Sequence, residues 1–473
     1  MNTLPFVVAQ LLALATGSFA VGWAFRGLPA RWLGVVTYGY VAGLVLGAAS
    51  LYLCGVAGLG IRFWSAAAVQ IVLAVALGLL NRYATRRDRD AGPKDVRLPA
   101  HGVALLAIVL LLALLIVRAI SVGIDAVTLP LYPWDAWQQW GTKARVWFET
   151  HELRPFVSPA EWLAESARGV AVYTDANPAY PPLLPLLQVW TLGYSTAWND
   201  AVTGVTWLGL FCAFGAGVAW QVYRVLPYWP YALGTAYLAL SLPFLDAHVA
   251  LAGYGDFPLS VLYCFAFMSA IAFQRFDRAG DAAMALAFVA MLPFFKRPGI
   301  AWALTLLPFA AVALPSARRP LVLRLLVIAA TGVVSVLMVF RVSHAAMPTV
   351  VESLWSVVLN LFAWENWHLL WYIALLTLAT RWRRASWRSL EASAATLMLG
   401  GLFLAWAFWG TELYSSIANV TTLNRALLPF ACIVCYFIAL SMAPAIERLA
   451  QGARADETRR EEAPVQSHVD VAP

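Results

Sequence analysis

Long apolar runs recur along the whole chain, and many approach the roughly 20 residues that a helix needs to cross a bilayer. Hydrocarbon offers no water to backbone amides, so each such run must satisfy its own hydrogen bonds as a helix. Runs at about 4–25, 32–54, 61–81, 99–122, 200–223, 228–246, 256–274, 282–295, 299–315, 320–341, 366–380, 390–409 and 426–445 meet this description. They predict an all-α polytopic membrane protein with about 13 transmembrane helices, bounded between about 11 and 14. The chain is 62% hydrophobic and 12% charged, far from the balance of a soluble domain. The formal charge of +7 therefore reports membrane topology and not a nucleic-acid partner. No basic residue precedes the first run, which reads as a retained span and not a cleaved signal. The apolar piece 183–197 is short and broken by prolines, so it reads as an interfacial or re-entrant helix.

Charge sets the expected orientation. Threading the spans alternately groups Arg26 and Arg31, the 82–97 cluster, Arg224, Arg275 and Arg278, Arg318, Arg319 and Arg324, the 381–388 cluster and the C-terminal tail on one side. These hold 22 of the 32 Lys and Arg residues. By the positive-inside rule that side is cytoplasmic. The N-terminus and the long loop 123–182 then face outward, and counting 183–197 as a span would scatter the clusters. Three regions follow: residues 1–98 with the first three spans and a cytoplasmic loop, a catalytic module at 99–446 with its outer loop 123–182, and a disordered cytoplasmic tail at 447–473. Cys432 and Cys435 form a CxxC inside an apolar run with no second pair, which reads as packing.

The outward side carries the residues that could do chemistry. "YPWDAWQQWGTKARVW", Tyr132 to Trp147, places Asp135 among Trp134, Trp137 and Trp140. In a helix Trp137 and Trp140 would share a face. Indoles at a membrane edge serve as anchors and also stack on sugar rings. A carboxylate among aromatics loses hydration and suits a general base. Lys143 and Arg145 on the same segment are possible further phosphate contacts. Asp256 in "GYGDFPL" reads as a helix N-cap, a site residue, or both. Lys296 and Arg297 interrupt "FFKRPGIAW", where they either snorkel or clamp a phosphate. Arg425 in "NRALLPF" is an anchor or a bidentate phosphate ligand. His248 and His368 lie outward as possible polar site residues. The remaining outward acids, Asp125, Asp175, Asp200 and Asp246 among them, read mostly as solvated charges. The sequence has no Walker motif, HExxH, GxSxG or Cys/His cluster.

Over roughly residues 100–445 these motifs, in this order and on this side, make the chain resemble the GT-C superfamily of membrane glycosyltransferases. It is most similar to the polyprenyl-phosphate-sugar-dependent protein mannosyltransferases and lipid A aminoarabinose transferases. The resemblance implies a lipid-phosphate-linked sugar donor reached from the bilayer and an inverting transfer on the extracytoplasmic side of a bacterial inner membrane. It implies Asp135 as the base that deprotonates an acceptor hydroxyl, with Asp256 as an accessory acid. Lys296, Arg297 and Arg425 hold the donor phosphate, and Trp134, Trp137, Trp140, Tyr180, Tyr254 and His248 line the sugar and acceptor site. The acceptor is a glycan, lipid or protein. No cofactor is expected; a divalent metal is allowed by the superfamily but not expected here, and no metal ligand is assigned. The chain departs from the family in three ways. Asp135 stands alone where an Asp-Glu pair is common, no large extracytoplasmic C-terminal domain follows, and three spans precede the usual start. Acceptor recognition must then come from loops such as 123–182 and 342–365. Two other readings compete: a transporter or flippase of an anionic or lipid-linked saccharide, and a non-catalytic subunit of an envelope assembly. A transporter favours repeated broken helices, and no internal repeat is evident.

Overall fold

A computed structural model describes residues 3–85, 102–170, 172–313, 318–342, 347–381, 390–411, 413, 416–417 and 421–462. Most of the 82–97 and 381–388 basic clusters and the last part of the expected tail lie outside the described residues.

Four helices open the chain: α1 (Leu4–Val21), α2 (Arg31–Val56), α3 (Phe63–Thr85) and α4 (Gly102–Thr128). The loop after α4 is structured. A π-helical turn, Ala136–Gly141, runs into α5 (Thr142–Thr150). Phe156–Val157 then pairs in parallel with Tyr173–Thr174 around α6 (Pro159–Ala167), whose start is fixed by a Ser158–Glu161 capping box. The short helix α7 (Leu183–Leu192) is buried on every side, so of the two expected readings it sits inside the protein and not on an interface.

Helices α8 (Asp200–Val225), α9 (Trp229–Leu240) and α10 (Pro243–Ala250) follow. The last two bend by 67° where a single span was expected. Pro243 pushes Leu242 out of the helical region and cannot donate back to the preceding turn. Beyond them lie α11 (Asp256–Phe276), α12 (Ala279–Phe295), α13 (Gly299–Thr305) with a 3₁₀ extension, α14 (Arg319–Val342), α15 (Met347–Phe362), α16 (Leu370–Arg381), α17 (Glu391–Trp409) and α18 (Thr421–Glu462). Helix α15 occupies the 342–365 region read from sequence as a loop; it exposes Leu354, Trp355 and Val358 and buries Ser353 and Asn360. Helix α18 continues to Glu462, past residue 445 where the last span was expected to end and into the 447–473 tail expected to be disordered, which is therefore helical as far as Glu462.

Nine helices among the described residues are long and apolar enough to cross a membrane, or ten if the bent α9–α10 pair is one span. The protein is therefore an all-α polytopic integral membrane protein. Helices α7, α12, α13 and α16 are apolar but shorter.

The first three helices are welded to the rest. A Cβ on Gly43 would fall 1.8 Å from the Ala13 carbonyl oxygen, and one on Gly17 would fall 1.8 Å from that of Gly39. Small residues thus let the α1 and α2 backbones touch, the usual device where lipid gives no hydrophobic drive. One turn on, Gly47 faces the ring of Trp190 on α7, 2.6 Å from where its Cβ would be. Trp220 on α8 covers Gly34 and donates to the Pro29 carbonyl at 3.1 Å.

The two ends of the bundle differ. At one end Arg224 forms two 2.8 Å bonds to the buried Asp281, and Gln221 links Arg224 to Tyr38 of α2. Arg26 and Arg278 meet there too, with Arg278 donating to the Arg26 carbonyl at 2.6 Å. The starts of α11 and α18 and the end of α12 gather at the other end.

Candidate functional site

Four side chains from distant parts of the sequence converge at that second end. Asp256 stands at the first position of α11, with Gly255 as the capping residue. Its side chain makes no cap bond. Instead Oδ1 accepts from Lys296 Nζ at 2.6 Å and Oδ2 accepts from Arg425 Nε at 2.9 Å. The N-cap reading of Asp256 is thus replaced by a bridging one. Burial explains the preference, because a desolvated carboxylate gains more from two cations than from one amide.

Lys296 is delivered by a break in the chain. It leaves α12 in extended conformation, and its carbonyl accepts from Gly299 N at 2.8 Å as Pro298 starts α13. Its side chain turns into the protein, so the snorkelling alternative does not describe it. Arg297 takes the opposite course and is exposed. Its guanidinium lies 5.3 Å from the centre of the Tyr180 ring. Among the described residues it has no carboxylate partner.

Arg425, the fifth residue of α18, is held on three sides. Nε bonds Asp256, Nη2 bonds Asp135, and the plane lies 4.3 Å from the Tyr254 ring centre. Asn424 beside it is buried and accepts from Asn360 at 2.6 Å and from Trp367 at 3.1 Å. Asn366 in turn donates to Asn360 at 2.8 Å. This amide ladder between α15, the following loop and α18 was not foreseen. Its one signal in the sequence is the lone Asn360 in the apolar run "SVVLNLF".

Asp135 directly precedes the π-helical turn. In a π-turn hydrogen bonds run five residues ahead, so Asp135 and Trp140 fall on one face and Trp137 on another. The expectation that Trp137 and Trp140 share a face is therefore corrected. Trp140 is buried, its ring edge-on to Tyr180 at 4.9 Å, while Trp137 and Trp134 are exposed and pack edge to face at 5.7 Å. Trp140 offers no free face for a sugar; Trp134 and Trp137 do. Tyr180 is half-buried, and burial raises the pKa of its hydroxyl, so near neutral pH it remains a hydrogen-bond donor.

His248 is buried against Tyr254 at 5.2 Å and Phe244 at 4.4 Å between ring centres. Its Nδ1 lies 3.0 Å from the Phe244 carbonyl, and its buried Nε2 has no partner among the described residues. His368 is exposed and takes no part.

Several nearby charges do other work. Lys143 is buried, pairs with Asp175 at 2.5 Å and donates to the carbonyls of Asn177 and Pro178 at 3.0 and 3.3 Å. It pins the loop and is not available as a phosphate contact. Arg145 is exposed and paired with Glu149 at 2.8 Å. Asp175 and Asp246 are likewise not solvated: Asp175 is buried on Lys143, and Asp246 pairs with Arg118 of α4. A separate cavity of about 370 Å³, lined by Arg62, Trp64, His151 and Tyr194 among others, lies at the far end of α7.

The ion cluster thus sets two cations, Lys296 and Arg425, on two carboxylates, Asp135 and Asp256, with Arg297 beside Tyr180 as a further cation. Among the described residues no group of three or more His, Cys, Asp or Glu side chains comes together as a metal-ligand set. Comparison with protein-family models, curated proteins and solved structures finds no match to this chain.

Proposed function

We propose that this protein is an integral-membrane glycosyltransferase of the GT-C type, moving a sugar from a polyprenyl-phosphate donor to an acceptor hydroxyl. In this reading some of the shorter apolar helices also span, for about 13 crossings in total. The ion cluster faces outward from a bacterial inner membrane and the basic end faces the cytoplasm, as the positive-inside rule requires. One observation supports the reading above others. Asp135, Asp256, Lys296 and Arg425, which the resemblance selects from four separate motifs, meet in one connected cluster.

The chemistry follows from the charges. The acceptor hydroxyl gives its proton to Asp135 as its oxygen attacks the anomeric carbon from the face opposite the phosphate. The carbon–oxygen bond to phosphate breaks, its electron pair stays on the phosphate, and the sugar is inverted. Lys296, Arg297 and Arg425 stabilise the charge that grows on the leaving group. Asp256 holds two of those cations in place. Trp134 and Trp137 present open rings for the sugar or acceptor, and Tyr180, Tyr254 and His248 complete the wall.

The test is transfer in proteoliposomes, using a panel of radiolabelled polyprenyl-phosphate hexoses and pentoses and a membrane-glycan extract as acceptor. The wild-type chain transfers label from one donor, and Asp135→Asn abolishes transfer at an unchanged protein level. If labelled lipid crosses the bilayer with its sugar still attached, the protein is a transporter of that lipid and the enzyme reading fails.

A further inference from the structure

Asp135 and the leaving phosphate are both anions that draw on the one charge of Arg425. In the resting structure, the carboxylate meant to take the acceptor proton already accepts a hydrogen bond from Arg425 Nη2. A donor phosphate that reaches this guanidinium, held by Nε on Asp256 and by one face on Tyr254, brings a second negative charge against that of Asp135. We infer that an incoming polyprenyl phosphate displaces Asp135 from Arg425, so that donor binding itself frees the general base. This inference rests on the glycosyltransferase reading and adds its order of events: donor first, then acceptor.

Three features say which carboxylate yields. Asp256 is held through both oxygens by two cations, whereas Asp135 is held through one oxygen by one cation. The Asp135 side chain is 25% accessible and that of Asp256 is 7%, so water can take over the bonds that Asp135 gives up more readily. Asp135 also borders a π-turn, a form found mostly as single turns at functional sites, whereas Asp256 belongs to a long buried helix.

The path is also marked. Arg297 is exposed and free of carboxylates among the described residues, so an arriving phosphate meets it first. Arg297 adds one positive charge beside the balanced cluster, and a polyprenyl phosphodiester brings one negative charge. Tyr254 and Asp256 keep the guanidinium in place while its other partner changes. After transfer Asp135 gives the acceptor's proton to water, polyprenyl phosphate leaves, and the carboxylate returns to Arg425.

The exchange makes a prediction of sign. Removing a competitor should tighten binding, whereas removing an anchor should weaken it. The full chain in nanodiscs is titrated with undecaprenyl monophosphate by a filter-binding assay. Asp135→Asn and Asp135→Ala are expected to bind about tenfold more tightly than wild type while transferring nothing. Asp256→Asn is expected to bind about tenfold more weakly. Two Asp135 variants guard against one that misfolds, and thermal unfolding of each reports on that. If wild type binds and both folded Asp135 variants bind equally or more weakly, the displacement is wrong and the glycosyltransferase reading survives. If wild type does not bind the lipid phosphate at all, the displacement is wrong, and the glycosyltransferase reading is judged by the transfer assay.

Discussion

The ammonium of Lys296 lies 2.6 Å from Oδ1 of Asp256, 40 residues earlier in the chain. The helical hairpin of α11 and α12 separates them in sequence and joins them in space. Each is nearly buried, so neither is stable alone. Removing one partner of a buried pair leaves an uncompensated charge and costs about 3–5 kcal/mol. Asp256→Ala and Lys296→Met should each lower stability by about that amount, and the double variant by clearly less than the sum. A double-mutant cycle read by thermal unfolding in detergent checks this, and strict additivity would rule out the coupling.

Trp137 and Trp140 should respond in opposite ways. Trp140 is buried against Tyr180, so Trp140→Ala opens a cavity and should cost about 3–5 kcal/mol of stability. Trp137 is 45% exposed; Trp137→Ala should leave the unfolding temperature nearly unchanged and, under the proposed transfer reaction, raise the KM for acceptor. Equal unfolding temperatures for the two variants would show that the π-turn does not separate their faces.

Lys143 carries a pH signature. Burial lowers its pKa below the ordinary lysine value, and Asp175 offsets only part of the effect. The folded state therefore binds this proton more weakly than the unfolded state does. Stability from this group is present above the unfolded value near 10.4 and is lost as pH falls through the lowered folded value. Between those two values wild type should gain stability with rising pH relative to Lys143→Met. Limited proteolysis of the 123–182 loop across alkaline pH measures it; parallel profiles for the two proteins would remove Lys143 as the cause.

Gly43→Leu tests the role of the first helices. Its side chain would collide with the Ala13 backbone, and strain of this kind costs about 1–3 kcal/mol or more. The α1–α2 pair should separate and loosen α7 with it, because Gly47 on the same face packs on Trp190. A lower unfolding temperature with increased protease access to the α2–α3 loop is expected. A stable Gly43→Leu protein would mean that α1 and α2 do not need their close approach.

Much of this molecule can be read from composition and periodicity. Apolar runs define helices in lipid because nothing else satisfies the backbone there. Asp135, Asp256, Lys296 and Arg425 stand out in the sequence because charge is costly near the membrane and needs a reason. What each charge pairs with was beyond that reading. Lys143 and Arg297 look alike in one dimension, yet Lys143 is sealed onto Asp175 and Arg297 is exposed. The π-turn could not be read from side-chain spacing, since an α-helical period puts Trp140 beside Trp137. The Asn360–Asn424 bond joins helices 64 residues apart, and no local pattern encodes such a contact. The sequence alone determined a helical membrane protein with its sparse charges because the bilayer imposes those terms on every segment separately. Only the tertiary structure decided that Arg425 bridges Asp135 and Asp256, because an ion pair forms where helices bring charges together and not where the chain writes them.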